Sequence, residues 1–162
     1  MPVAGTVPAM TSSPSSTGRS VSSSAVVAAP ATEIFDLLCD PSRHAEIDGS
    51  GMVQASRDGA LRLALGTRFG MDMKIGPLPY RTSNTVVEFE TDRRIAWAHF
   101  GGHRWRYELE PVEGGTRVTE TFDWSTARSP KFIELMKYPA KNLTAIERTL
   151  ERLVALYATS SS

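Results

Sequence analysis

Residues 104–124 read RWRYELEPVEGGTRVTETFDW, two runs of alternating side chains around Gly114-Gly115. A short glycine turn makes such runs antiparallel neighbours. Side-chain types set the register. With Glu110 opposite Arg117, Arg104 falls opposite Asp123, so one face carries opposite-charge pairs. The other face pairs Trp105 with Phe122, Tyr107 with Glu120 and Leu109 with Val118. A one-residue slip would set Arg104 beside Phe122 and Leu109 beside Arg117, and would send every side chain to the opposite face.

The same test extends one strand back. A loop of Phe100, Gly101 and Gly102 sets Trp97 opposite Trp105 and Ile95 opposite Tyr107, with Arg94 opposite Glu108 on the outside. Phe89 and Val87 then face Ile95 and Trp97, and Phe69, Met71, Met73 and Ile75 continue the apolar face. That face also carries Thr85, His99, His103, Tyr107, Glu120 and, at its end, Arg81. Aromatic and methionine side chains mixed with a few polar groups compose a ligand cavity. The alternative is a solid core in which these groups satisfy one another.

The flanks supply the cover. Residues 19–29 read as a strand, Pro30 suits a helix start, and Ile34, Phe35, Leu37 and Leu38 make one face of a short helix. Asp40-Pro41 ends it and caps a very short second helix, PSRHAEID. Strands are expected near 52–56, 67–75, 81–90, 94–99, 103–110 and 116–124. Ser129 and Pro130 open a final helix to residue 157, about 40 Å long, with Phe132, Leu135, Met136, Leu143, Ile146, Leu150, Leu153, Val154 and Tyr157 at helical spacing. Pro139 should kink it. Residues 1–18, rich in Ser, Thr and Pro, and residues 159–162 are expected to be disordered tails around one domain at 19–158.

The chain has 162 residues, enough for one core, and its 18 basic and 18 acidic side chains cancel. That balance lacks the basic footprint of a nucleic-acid binder and the polybasic signal of an anionic-membrane binder. One cysteine, Cys39, excludes an intrachain disulfide and a multi-thiolate metal site. No apolar run is long enough to span a membrane, so no stable membrane insertion is expected. No Lys or Arg precedes Arg19, which argues against a signal peptide and for a cytoplasmic location.

A strand, two short helices, a strand meander and one long C-terminal helix is the helix-grip order, an α+β fold. The segments APATEIFDLLCDP (29–41), RHAEIDG (43–49), GTRF (66–69), RWRYELE (104–110) and GGTRVTETF (114–122) carry a closer likeness. They resemble the SRPBCC, or START-like, superfamily, and within it the polyketide cyclase/dehydrase branch. The resemblance covers residues 19–157. It implies a curved antiparallel sheet wrapped around the C-terminal helix and a deep hydrophobic cavity between them. Relatives bind lipids, sterols, polyketides or plant hormones there, and some catalyse cyclisation or dehydration. The superfamily has no shared catalytic motif to carry over.

Candidate ligand-wall residues are Met71, Met73, Trp97, Trp105, Tyr107 and Phe122, with Arg81 as a partner for a ligand carboxylate. The candidate acid–base groups are Glu120, whose burial would raise its pKa, and His99 and His103, facing each other at a strand end. Against this stand a structural Tyr107–Glu120 bond and ordinary rim histidines. A His99–His103–Glu120 metal site fails on distance, since Glu120 lies four residues, about 13 Å, along from His103. Neither Gly-Gly pair opens a helix as a phosphate loop must, and no cofactor is expected. Three functions remain open: a carrier of a hydrophobic small molecule, a polyketide cyclase-type enzyme, or an interaction protein with a filled core, as monomer or homodimer.

Overall fold

The computed structural model describes residues 11–14, 18–57 and 61–158. Eight antiparallel strands form one curved sheet in the order β1-β2-β8-β7-β6-β5-β4-β3. They are β1 (Thr11–Pro14), β2 (Ser20–Val27), β3 (Val53–Ser56), β4 (Arg68–Ile75), β5 (Leu78–Glu90), β6 (Arg94–His99), β7 (Arg104–Val112) and β8 (Gly115–Asp123). Between β2 and β3 lie α1 (Ala31–Leu38), a 3-10 turn at Pro41–Arg43 and α2 (His44–Ile47). After β8 come α3 (Pro130–Leu135) and α4 (Tyr138–Ala158).

The β7–β8 register is the one that charge and apolar pairing dictate. Trp105 pairs with Phe122, Tyr107 with Glu120, Leu109 with Val118 and Glu110 with Arg117. On β6–β7, Trp97 pairs with Trp105 and Ile95 with Tyr107. The outer face carries the ion pairs Arg117–Glu110 at 2.9 Å and Arg94–Glu108 at 3.3 Å. Arg104 stands opposite Asp123 but bonds Glu88 at 3.2 Å, while Arg106 bonds Glu88 at 2.8 Å and Asp123 at 3.4 Å.

The β5 register departs from strict alternation. Val86 pairs with Trp97 and Glu88 with Ala96, leaving Val87 as the extra residue of a bulge. Beyond the bulge the faces exchange. Val86, Asn84 and Thr82 are buried inside, whereas Val87 is only half-buried and Arg81 is exposed. Val87 and Thr85 therefore leave the inner face expected for them.

Pro30 precedes α1, whose Ile34, Phe35, Leu37 and Leu38 are all buried. The Asp40 side chain accepts from Ser42 N at 3.1 Å and caps the 3-10 turn. The C-terminal helix is two helices, not one kinked rod. Lys137 takes a left-handed φ of 57°, and α4 restarts so that Pro139 sits in its first turn, where a missing N–H costs nothing. Ser129 makes no side-chain cap bond. Ile146, Leu150 and Leu153 of α4 join α1 and the sheet in the core, α4 lying on β2 and β8. At the other sheet edge from β3, β1 pairs with Ser22, Ser23 and Ser24 of β2, so part of the expected N-terminal tail is a strand. The rest of that tail, residues 1–10 and 15–17, and residues 159–162 lie outside the described residues.

Candidate functional site

A cavity of about 540 Å³ lies between the inner face of the sheet and α2, α3 and α4. That size suits a drug-sized organic molecule. Met71 and Met73 of β4, Trp97 of β6, Trp105 and Tyr107 of β7 and Phe122 of β8 line it. The rings are locked against one another around the void. Trp97 meets Phe69 edge-on at 5.7 Å, Trp105 lies 5.0 Å from Phe122, and Phe122 stacks on Trp124 at 5.6 Å. Such packing fixes the wall without filling the space.

Alternation along the strands puts polar groups on the same wall. Tyr107 Oη donates to Glu120 Oε1 at 2.9 Å. Glu120 is 4% exposed, and its Oε2 has no partner among the described residues. Burial pushes its carboxyl up to about 8, with a smaller push from Asp48, against the lowering pull of the Tyr107 bond. The same burial, with Glu120 beside it, drives the Tyr107 hydroxyl well above its usual range.

His99 and His103 stack at 4.7 Å, and His103 lies 5.4 Å from Phe122. Burial, then the neighbouring His103, lowers His99 to about 3, and burial lowers His103. Both imidazoles are neutral at pH 7. They do not join Glu120 in one constellation. His103 and Tyr107 are four residues apart on the β7 face, about 13 Å, with Trp105 between them. Among the described residues no group of three or more His, Cys, Asp or Glu is placed to hold a metal ion. Burial pushes the Cys39 thiol up to about 11, so it stays protonated.

Arg81 is not part of the wall. The β5 bulge turns it outward, where its guanidinium lies 3.7 Å from Asp72. Asn84 takes the inner position instead, paired with His99, and Thr82 follows it opposite Met71. Thr82 Oγ1 and Asn84 Oδ1 are buried on the cavity wall with no partner among the described residues. His44 is a further lining group that the sequence reading passed over. It stacks on Trp97 at 5.0 Å, and its Nε2 lies 2.8 Å from the Leu38 carbonyl. Burial lowers its pKa. Its spacing of three from Ile47, both buried on α2, was the available signal.

Residues 18–158 match the family described as polyketide cyclase / dehydrase and lipid transport. The chain belongs to this family. Its place in the SRPBCC superfamily follows, and the curved antiparallel sheet closed by a C-terminal helix is that superfamily's fold. An uncharacterized protein of Mycobacterium tuberculosis, Rv0088, is 41% identical over 143 residues, which cover 85% of this chain and 64% of that protein. The chain thus spans less than two thirds of the length of this relative. A solved structure from Rhodobacter sphaeroides superposes with a TM-score of 0.71 at 18% identity, covering 93% of this chain and 99% of the other. A Polyketide_cyc-like protein from Corynebacterium glutamicum gives a TM-score of 0.57 at 23% identity, covering 87% and 90%. At such identities the two structures share the family fold. No helix among the described residues is long and apolar enough to cross a membrane.

Proposed function

We propose that this domain binds a hydrophobic small molecule, lipid-like or polyketide-like, that carries a few uncharged hydrogen-bonding groups. One observation carries the reading: an apolar, aromatic cavity of about 540 Å³ whose wall holds three buried polar atoms without a partner among the described residues, Thr82 Oγ1, Asn84 Oδ1 and Glu120 Oε2. Buried polar atoms without partners are costly, and a ligand that supplies the partners recovers that cost on binding. Apolar contact provides the drive at roughly 25 cal/mol per Å² before binding costs. Neutral His99 and His103 and a protonated Glu120 suit hydroxyl and carbonyl groups better than a carboxylate.

Native mass spectrometry of protein purified from its own host tests this. The expected result is a reproducible extra mass that is lost on denaturation. A bare mass, with no thermal shift across a panel of lipids and polyketides, would overturn the proposal.

Glu120 favours a second reading, acid–base catalysis of the polyketide cyclase type. A carboxyl with a pKa of about 8 is poised near neutral pH, the condition for an efficient general acid. It would deliver its proton to a ligand carbonyl through Oε2 and be held by Tyr107 through Oε1. Glu120→Gln separates the readings: turnover is abolished in an enzyme, while affinity for a mainly apolar ligand barely changes.

A further inference from the structure

Of the eight large apolar side chains exposed among the described residues, seven lie at or beside one end of the cavity, the eighth being Leu65. Ile75 and Leu78 pair across the β4–β5 hairpin tip, and Phe100, 79% exposed, sits in the β6–β7 turn. Phe132, Leu135 and Met136 come from α3 and its end, and Tyr138 from the start of α4. Ile75, Phe100, Phe132 and Tyr138 themselves line the cavity, so they mark its mouth. The segments are tied together. Arg128 N donates to the Gly101 carbonyl at 2.9 Å, and Thr126 Oγ1 donates to the Gly102 carbonyl at 2.7 Å.

Charge is concentrated on the same rim. The chain has four lysines, Lys74, Lys131, Lys137 and Lys141, and all four lie in these segments. Arg128 lines the mouth beside them. Against these five cations those segments carry one carboxylate, Glu134, already bonded to Trp124 Nε1 at 2.9 Å and to Arg19 at 3.3 Å, and the nearby lining carboxylate, Asp48, accepts from Ser50 N and Val53 N. Every ion pair found among the described residues uses an arginine, and none uses Arg128 or a lysine. The zero net charge of the chain therefore hides a basic, apolar-tipped rim.

We propose that this rim docks reversibly on an anionic lipid bilayer, with the cavity mouth facing the lipid. Exposed apolar side chains clustered this way mark an interaction surface, and lysines around them are the pattern that lies in a lipid interface. Lysine stems reach along the apolar surface while their ammonium groups meet the headgroups. The anionic headgroup is the complementary partner, each lysine favouring association by about fivefold. This inference concerns the rim alone and does not rest on the ligand proposed for the cavity.

Vesicle co-sedimentation of the full chain tests it, with phosphatidylcholine vesicles and with vesicles of equal parts phosphatidylcholine and phosphatidylglycerol. The expected result is binding to the anionic vesicles only, weakened by raised salt. Phe100→Ser with Phe132→Ser should abolish it, and Lys131→Glu with Lys137→Glu should weaken it by more than about 25-fold. Both side-chain pairs are exposed, so circular dichroism and melting should be unchanged. Three results overturn the proposal: no binding to anionic vesicles at low salt, equal binding to neutral vesicles, or binding that both double variants retain. A homodimer that Phe100→Ser with Phe132→Ser dissociates, without vesicle binding, would assign the rim to a second copy of the chain and likewise overturn it.

Discussion

Tyr107 Oη donates to one oxygen of Glu120 at 2.9 Å, and the other oxygen, on the cavity wall, has no partner among the described residues. Burial holds the carboxyl as an acid, with a pKa of about 8 against an ordinary 4.5, despite the lowering pull of that bond. A folded-state pKa raised above the unfolded one makes the folded protein bind the extra proton between those values. Its stability contribution is full below about pH 4.5 and is lost as pH rises through about 8. Glu120→Gln keeps the shape and removes the titration. The variant should lose less stability than the native chain between about pH 5 and 8, by roughly a few kcal/mol over that window. Urea unfolding across that range checks it, and parallel curves for the two proteins would refute it.

Tyr107→Phe removes the donor to Glu120 Oε1 found among the described residues. The bond lowers the Glu120 pKa, so its loss should raise that pKa further. It also strands a buried oxygen, at a cost of about 1–3 kcal/mol. Carboxyl carbon NMR shifts of Glu120 followed through a pH titration give the first result, and denaturant melts give the second.

The register of β6, β7 and β8 was legible because charge pairs on one face and aromatics on the other leave only one sensible alignment. The inner face of β5 was not legible beyond the bulge. The Val86-Val87 doublet satisfies either phase, since both side chains are apolar and β-branched, and the choice between them rests on packing under Trp97. That single switch moved Arg81 out and brought Asn84 and Thr82 in. His44 was hidden for a different reason. A four-residue helix offers one spacing of three, His44 to Ile47, as a signal, and the tertiary stack on Trp97 decides which way the ring turns. The helix break at Lys137 was half visible, because Pro139 announces an interruption but not whether the chain kinks or restarts.

Gly49 fixes how closely the α2–β3 connection sits on α4. A Cβ there would clash with the Ala145 carbonyl and lie 2.6 Å from Thr149 N and 2.7 Å from Arg148 Cβ. Gly49 N also donates to Thr149 Oγ1 at 2.9 Å. Ala145 and Thr149 line the cavity, so the contact holds its roof in place. Gly49→Ala must push a backbone segment away and should destabilise the fold by about 1–3 kcal/mol or more. Thermal denaturation with an unchanged melting temperature would contradict this close approach.

His99 makes the opposite pH prediction to Glu120. Its half-buried ring lies opposite Asn84 and against His103, with no carboxylate among the described residues bonded to it, and its pKa falls to about 3 from an ordinary 6.5. A depressed folded-state pKa means that the unfolded chain takes up the proton first. The stability held by the neutral ring is present above about pH 6.5 and is lost as pH falls toward 3. His103, also lowered by burial, acts in the same direction. The imidazole carbon resonances of His99 should show no titration between about pH 5 and 8, where a free histidine passes through its midpoint. His99→Gln, which cannot take up that proton, should flatten the acid limb of the stability profile. A midpoint near 6.5 for His99 in the folded protein would mean that the ring is hydrated, and the polar end of the cavity would then be open to water.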